Sequence, residues 1–137
     1  MITITSPRPP LNLFNTNRIV VPSFYTTIID VPQYVIPANG PSPSRTVQAV
    51  ALLTSLILAN NSNDDIQASL QIVDAQGSQW LILNKMTIPP NDFALIDLAK
   101  QNLISGETLQ IRTENFQGAI ASLSYVLNQR EEYTVIT

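Results

Sequence analysis

The sequence predicts an all-β fold: an antiparallel β-sandwich, jelly-roll-like, with an extended proline-rich N-terminal arm. Three observations predict it. Ile, Val and Thr supply 37 of the 137 residues, which favours pleated sheet. Turn residues recur at short intervals from residue 46 onward, with no amphipathic helical stretch of useful length between them. Eight of the ten prolines fall between residues 7 and 43, where missing amide donors limit central strands and helices.

The arm is assigned to residues 1–45 and the sandwich core to 46–137. Within the arm, 24–31 (FYTTIIDV) and 34–36 (YVI) are β-rich runs interrupted by Pro32. Apolar residues such as Leu11, Leu13, Phe14, Ile19, Val20 and Val21 recur along it, so it is too hydrophobic to be a solvated tail. It should dock, either on its own domain or on a neighbour. The stretch 39–44 (NGPSPS) reads as the loop before the core.

In the core, 47–59 is a nearly continuous apolar run. It reads as a strand buried on both faces, or as one long strand bent near Thr54 and Ser55; a helix is the competing reading, since Ala and Leu are good helix formers. After a turn at 60–65 (NNSNDD), Ile66, Ala68, Leu70 and Ile72 alternate with Gln67, Ser69 and Gln71, the period of a half-buried strand. Residues 74–78 (DAQGS) form a hairpin turn in which Gly77 takes positive φ. Strands follow at 80–88, stopped by Pro89 and Pro90, and at 93–97; 98–103 has room for a helical turn. Leu109 and Ile111 alternate with polar neighbours, 115–118 (NFQG) is a tight connection, and 119–126 closes the series. In that closing strand Ile120, Ser122, Ser124 and Val126 share one face, and Ala121, Leu123 and Tyr125 the other.

Composition excludes much chemistry. With no His and no Cys, the chain has no imidazole or thiol for a nucleophilic triad or a conventional zinc site. The seven Lys and Arg are scattered along the chain, so no basic stripe for nucleic acid is expected. The longest apolar run is too short to span a bilayer, and the first residues have neither a basic leader nor an apolar block, so a cleaved signal peptide is not expected. Charged residues make up only 12% of the chain, while Asn, Gln, Ser and Thr number 45. Typical domains carry about 25% charge; a surface this poor in ions suits burial against neighbouring subunits.

The individual candidate sites are better explained as structure. The Asn60–Asp65 run is oxygen-rich but lacks the spacing of a calcium loop. Asp92 with Asp97, Glu131 with Glu132, and Asp74 are the available carboxylates, and turn caps or solvated charges account for them. No catalytic residue, cofactor or metal is assigned. Trp80 sits in an apolar strand and is expected in the core, with a protein interface as its second reading; with Tyr25, Tyr34, Tyr125 and Tyr133 it could alternatively form a sugar-stacking platform. The residues expected to anchor an interface are Phe14, Ile19, Val20, Phe24, Tyr25, Tyr34 and Ile36.

Five segments in order carry a resemblance: LILANNSNDD (56–65), LQIVDAQG (70–77), WLILNKMTIPPND (80–92), LISGETLQIRT (103–113) and GAIASLSYVL (118–127). This succession resembles the small β-sandwich virion structural proteins of tailed bacteriophages, particularly those of cyanophage-like genomes. The resemblance implies a non-enzymatic, homo-oligomeric particle component: a head decoration or cement subunit, or a neck- or tail-associated one, located in the virion and assembled in the host cytoplasm. Its implied partners are other copies of itself and other virion proteins, with neither nucleic acid nor membrane. The alternative is a carbohydrate-binding β-sandwich, such as a receptor-binding fibre domain.

Overall fold

A computed structural model of the chain describes the backbone of residues 2–5, 11–31, 34–36, 40–41, 45–114 and 119–136, and the side chains of 13–31, 40–41, 49–114 and 119–128. Its strands are β1 (Ile2–Thr5), β2 (Leu11–Val20), β3 (Thr26–Asp30), β4 (Tyr34–Ile36), β5 (Arg45–Asn60), β6 (Ile66–Val73), β7 (Gln79–Ile88), β8 (Phe93–Asp97), β9 (Asn102–Ile104), β10 (Thr108–Thr113) and β11 (Ala119–Ile136). They form two antiparallel sheets. The first runs β2, β11, β5 and then β8 and β9 end to end along the far side of β5. The second runs β3, β10, β6, β7.

The pairing is nested: β2 with β11, β3 with β10, β5 with β8 and β9, β6 with β7. A hairpin ribbon wrapped so that its successive pairs fall alternately into two sheets is a jelly roll. The expected sandwich is therefore present. Residues 11–31, however, supply one strand to each sheet. The docking place left open by the sequence is in cis: β2 is paired from Leu11 to Val20 with β11, and β3 with β10. Val21, Ile28, Ile29 and Val31 are buried in the core. Pro22 lies just beyond β2, where it breaks no ladder bond. Its carbonyl accepts from the Thr113 amide at 3.0 Å.

The core is filled by the inward rows of both sheets. Leu53, Leu56, Leu58, Leu103 and Leu123 from the first meet Ile66, Leu70, Ile88, Leu109 and Ile111 from the second, all buried. The apolar run of β5 is buried on one face only, not on both. Its inward residues are Ala49, Ala51 and Leu53, then Leu56, Leu58 and Asn60, so the parity changes at Thr54 and Ser55. There the register with β11 slips, Ser124 facing Ser55 and Tyr125 facing Leu53. This is a β-bulge, pinned by Thr54 Oγ1 donating to the Ser124 carbonyl at 2.8 Å. The bend anticipated at this point is that bulge.

Turn chemistry follows the sequence. Gly77, in the 74–78 hairpin, has φ +85°. Gly106, at φ +87°, sits against this hairpin: a Cβ there would stand 3.0 Å from Ala75 Cβ. Residues 98–101 form a turn before β9 rather than a helix. The 115–118 connection lies outside the described residues. The β5–β11 ladder extends to Tyr133 facing Arg45. Toward that end it is flanked by β4 on β5 and by β1 on β11.

Candidate protein interface

The two sheets differ in what they turn outward. On the second sheet the side of β6 and β10 turned away from the core carries Gln67, Ser69, Gln71, Thr108, Gln110 and Arg112, of which Ser69 and Gln71 are themselves buried. Gln71 Nε2 donates to Gln110 Oε1 at 2.7 Å. Arg112 pairs with Glu114 at 2.8 Å and lies over the Tyr25 ring, 5.3 Å from its centroid. Leu81 is the exposed aliphatic residue here, at the β7 margin.

The outward face of the first sheet is apolar instead. Register fixes its rows. Val20, Ile120, Ala59 and Phe93 stand side by side across four strands. Next come Arg18, Ser122, Ile57 and Leu95, then the polar row Thr16, Ser124, Ser55 and Asp97 at the bulge. Beyond it Phe14, Val126, Leu52 and Asn102 are aligned, with Asn128, Val50 and Ile104 in the row after. Phe14 is 83% exposed, and Phe93 and Leu95 are each 64% exposed. Val20, Leu52, Ile57, Ile104 and Ile120 are exposed too. Exposed aliphatic and aromatic side chains thus lie on both sides of that polar row. A shallow groove of about 360 Å³ lies in it beside the bulge, lined by Phe14, Thr16, Thr54, Ser124, Tyr125 and Val126.

Of the seven anchors expected from sequence, Phe14 and Val20 lie on this face. Ile19 points the other way and packs against the core. Phe24 is exposed in the β2–β3 connection, and Tyr25 is half-buried beneath Arg112. Tyr34 and Ile36 pair through β4 with Val47 and Arg45, and their side chains are outside the described set. Sequence reasoning missed Leu52, Ile57, Phe93, Leu95, Ile104 and Ile120. The run 47–59 has no polar alternation to show that half of it faces out. In 93–97, Phe93 and Leu95 could equally have been the inward pair.

The other candidates resolve into structural roles. Trp80 is 62% exposed rather than in the core; it lies on β7, at the edge of the second sheet, where the facing sheet does not cover it. Its Nε1 donates to Asp74 Oδ2 at 3.0 Å. Asp74 Oδ1 accepts from the amides of Gln76 and Ser78. The indole donor first, then these amides, hold the Asp74 carboxyl below its ordinary pKa. The described aromatics make no common row: Tyr125 packs against the core and its hydroxyl donates to Asn17 Oδ1 at 3.4 Å, while Tyr25 lies under Arg112. Asn60, 1% exposed, donates Nδ2 to the carbonyls of Asp64, Ile88 and Pro89 and accepts at Oδ1 from Ser62. The loop's most buried amide thus holds the turn together. Asp92 and Asp97 cap opposite ends of β8, accepting from the Phe93 and Ala99 amides. Five residues of strand separate them by roughly 16 Å, beyond the reach of a glycosidase pair. Glu131 and Glu132 have side chains outside the described set. Among the described residues no group of three His, Cys, Asp or Glu converges.

No family model matches the chain, and no curated protein does. Solved structures match it weakly. The infectious bursal disease virus Gt strain structure matches at TM-score 0.36 and 7% identity, over 98% of this chain and 42% of that one. The VP2 subviral particle of the same virus matches at 0.36 and 9%, over 100% and 37%. A Clostridium thermocellum endo-1,4-β-D-xylanase 10B structure, complexed with xylohexaose, matches at 0.32 and 10%, over 82% and 25%. The chain spans about two fifths of the viral chains, and likeness at this level transfers no activity or partner.

Proposed function

We propose that this chain is a non-enzymatic structural subunit of a virion, associating with neighbouring subunits through the outward face of its β2–β11–β5–β8/β9 sheet. The observation that carries the reading is the difference between the two sheets: one turns amides and hydroxyls outward, the other turns out Val20, Ile120, Phe93, Leu95, Ile57 and Leu52. The jelly roll is a fold of viral capsid domains, as it is of lectins and cupins, and the cores of lasting interfaces are apolar and depleted of charge. The order of sequence segments described above supports the finer reading, a tailed-phage decoration, cement, neck or tail-associated protein whose partners are its own copies and other virion proteins.

Electron cryomicroscopy of the purified parent particle tests it. The expected result is density for the jelly roll with this face covered by a neighbour, which also assigns head, neck or tail. Particles that contain no copy of the chain overturn the virion reading.

A further inference from the structure

The apolar face carries two charges among its described outward side chains, and they are of opposite sign at opposite margins. Arg18 lies on β2 in the second row and Asp97 on β8 in the third. With β11 and β5 between them, they are about 14 Å apart across the sheet, so they cannot pair within one chain. Asp97 Oδ1 accepts from the Ala99 amide at 2.9 Å, which fixes the carboxylate at the end of its strand. A face with one cation at one edge and one anion at the other is complementary to itself when turned over.

We propose that the occupant of this face is a second copy of the chain, packed face to face about a two-fold axis parallel to the strands between β11 and β5. The proposal rests on the reading of the face as an assembly surface and specifies its partner and geometry. Such an axis keeps each row at its height and exchanges left for right. Val20 of one copy then stands over Phe93 of the other, and Ile120 over Ala59. Arg18 stands over Leu95, one row, or about 7 Å, from Asp97, within the span of an arginine side chain. Two symmetric Arg18–Asp97 pairs result, as an isologous interface requires. Leu52 of the second copy lies over Val126, beside the groove that Phe14 and Thr54 line. Four strands by five rows give a face of about 19 by 30 Å, or roughly 1,200 Å² buried over both copies, at the lower end of specific interfaces.

Sedimentation velocity on the full chain tests the pairing. The wild-type chain is expected to dimerise. Arg18→Glu and Asp97→Lys are each expected to weaken the dimer at least about tenfold through like-charge contact, and the two together in one chain to restore it. Because the chain has no cysteine, Val20→Cys protein mixed with Phe93→Cys protein should give a disulfide-linked heterodimer on mild oxidation. A wild-type monomer at all concentrations overturns the pairing. So does a dimer that is indifferent to the single charge reversals, fails to recover in the double variant, or gives no Val20–Phe93 cross-link. Those outcomes leave the virion reading intact, since that falls only with the chain's absence from particles.

Discussion

Trp80 Nε1 and Asp74 Oδ2 are 3.0 Å apart, joining the first residues of β7 to the turn that precedes it. The indole favours the charged form of Asp74, and its folded-state pKa lies below the ordinary carboxylate value. A depressed carboxylate pKa contributes stability at neutral pH that is lost as pH falls through the folded value. Trp80 is the single tryptophan, so its fluorescence should report this titration directly, with a midpoint below the usual carboxylate range. Trp80→Phe should raise the Asp74 titration toward the ordinary value, measured by carboxyl-carbon NMR.

Gly106→Ala is expected to destabilise the fold by about 1–3 kcal/mol. The position combines φ +87° with a Cβ site 3.0 Å from Ala75 Cβ. Gly77→Ala, at φ +85° with open space around it, should cost less because it meets conformational strain alone. Denaturant midpoints at unchanged slope separate the two.

Asn60→Asp tests whether the buried amide acts chiefly as a donor. The carboxylate would replace Nδ2 with an acceptor facing the carbonyls of Asp64, Ile88 and Pro89. A loss of at least about 1–3 kcal/mol is expected at neutral pH, the cost of unsatisfied buried groups. Part of it should be recovered in acid, when the side chain is protonated. Urea titrations at both pH values check this; equal losses would show that the donor role is not what matters.

The two faces of the first sheet should respond differently to truncation. Leu56→Ala, at a fully buried inward position, should cost about 2–5 kcal/mol. Leu95→Ala, outward and exposed, should change the unfolding free energy of the dissociated chain by no more than about 0.5 kcal/mol. A large effect of Leu95→Ala in dilute solution would mean that the outward face is covered within the single chain.

Strand order and turns were legible because each local signal agreed with the fold. The strand from Ile66, the hairpin at Gly77 and the stop at Pro89 all stand where the residues indicate, although β6 is not half-buried as its alternation suggests: Ser69 and Gln71, on its polar side, are buried as well. The first third was harder to read, because proline density argues against central strands while saying nothing about where the prolines fall. Pro22 sits between β2 and β3, leaving Leu11–Val20 free to pair. The interface was half legible. Phe14 and Val20 stand out in a polar, proline-broken stretch, but Ile57 and Leu52 lie in a nearly continuous apolar run. Only the Thr54 bulge, a property of pairing with β11, decides which of its residues face out.

Nested pairing also constrains how the protein is made. β2 finds its hydrogen-bond partner only in β11, about 100 residues later, and β3 waits similarly for β10. On the ribosome, neither sheet can be completed until β10 and β11 have emerged. Such long-range closure makes for slow folding, and the early strands must meanwhile keep open edges that invite pairing with other nascent chains. The proline-free β2 is the segment most exposed to that hazard.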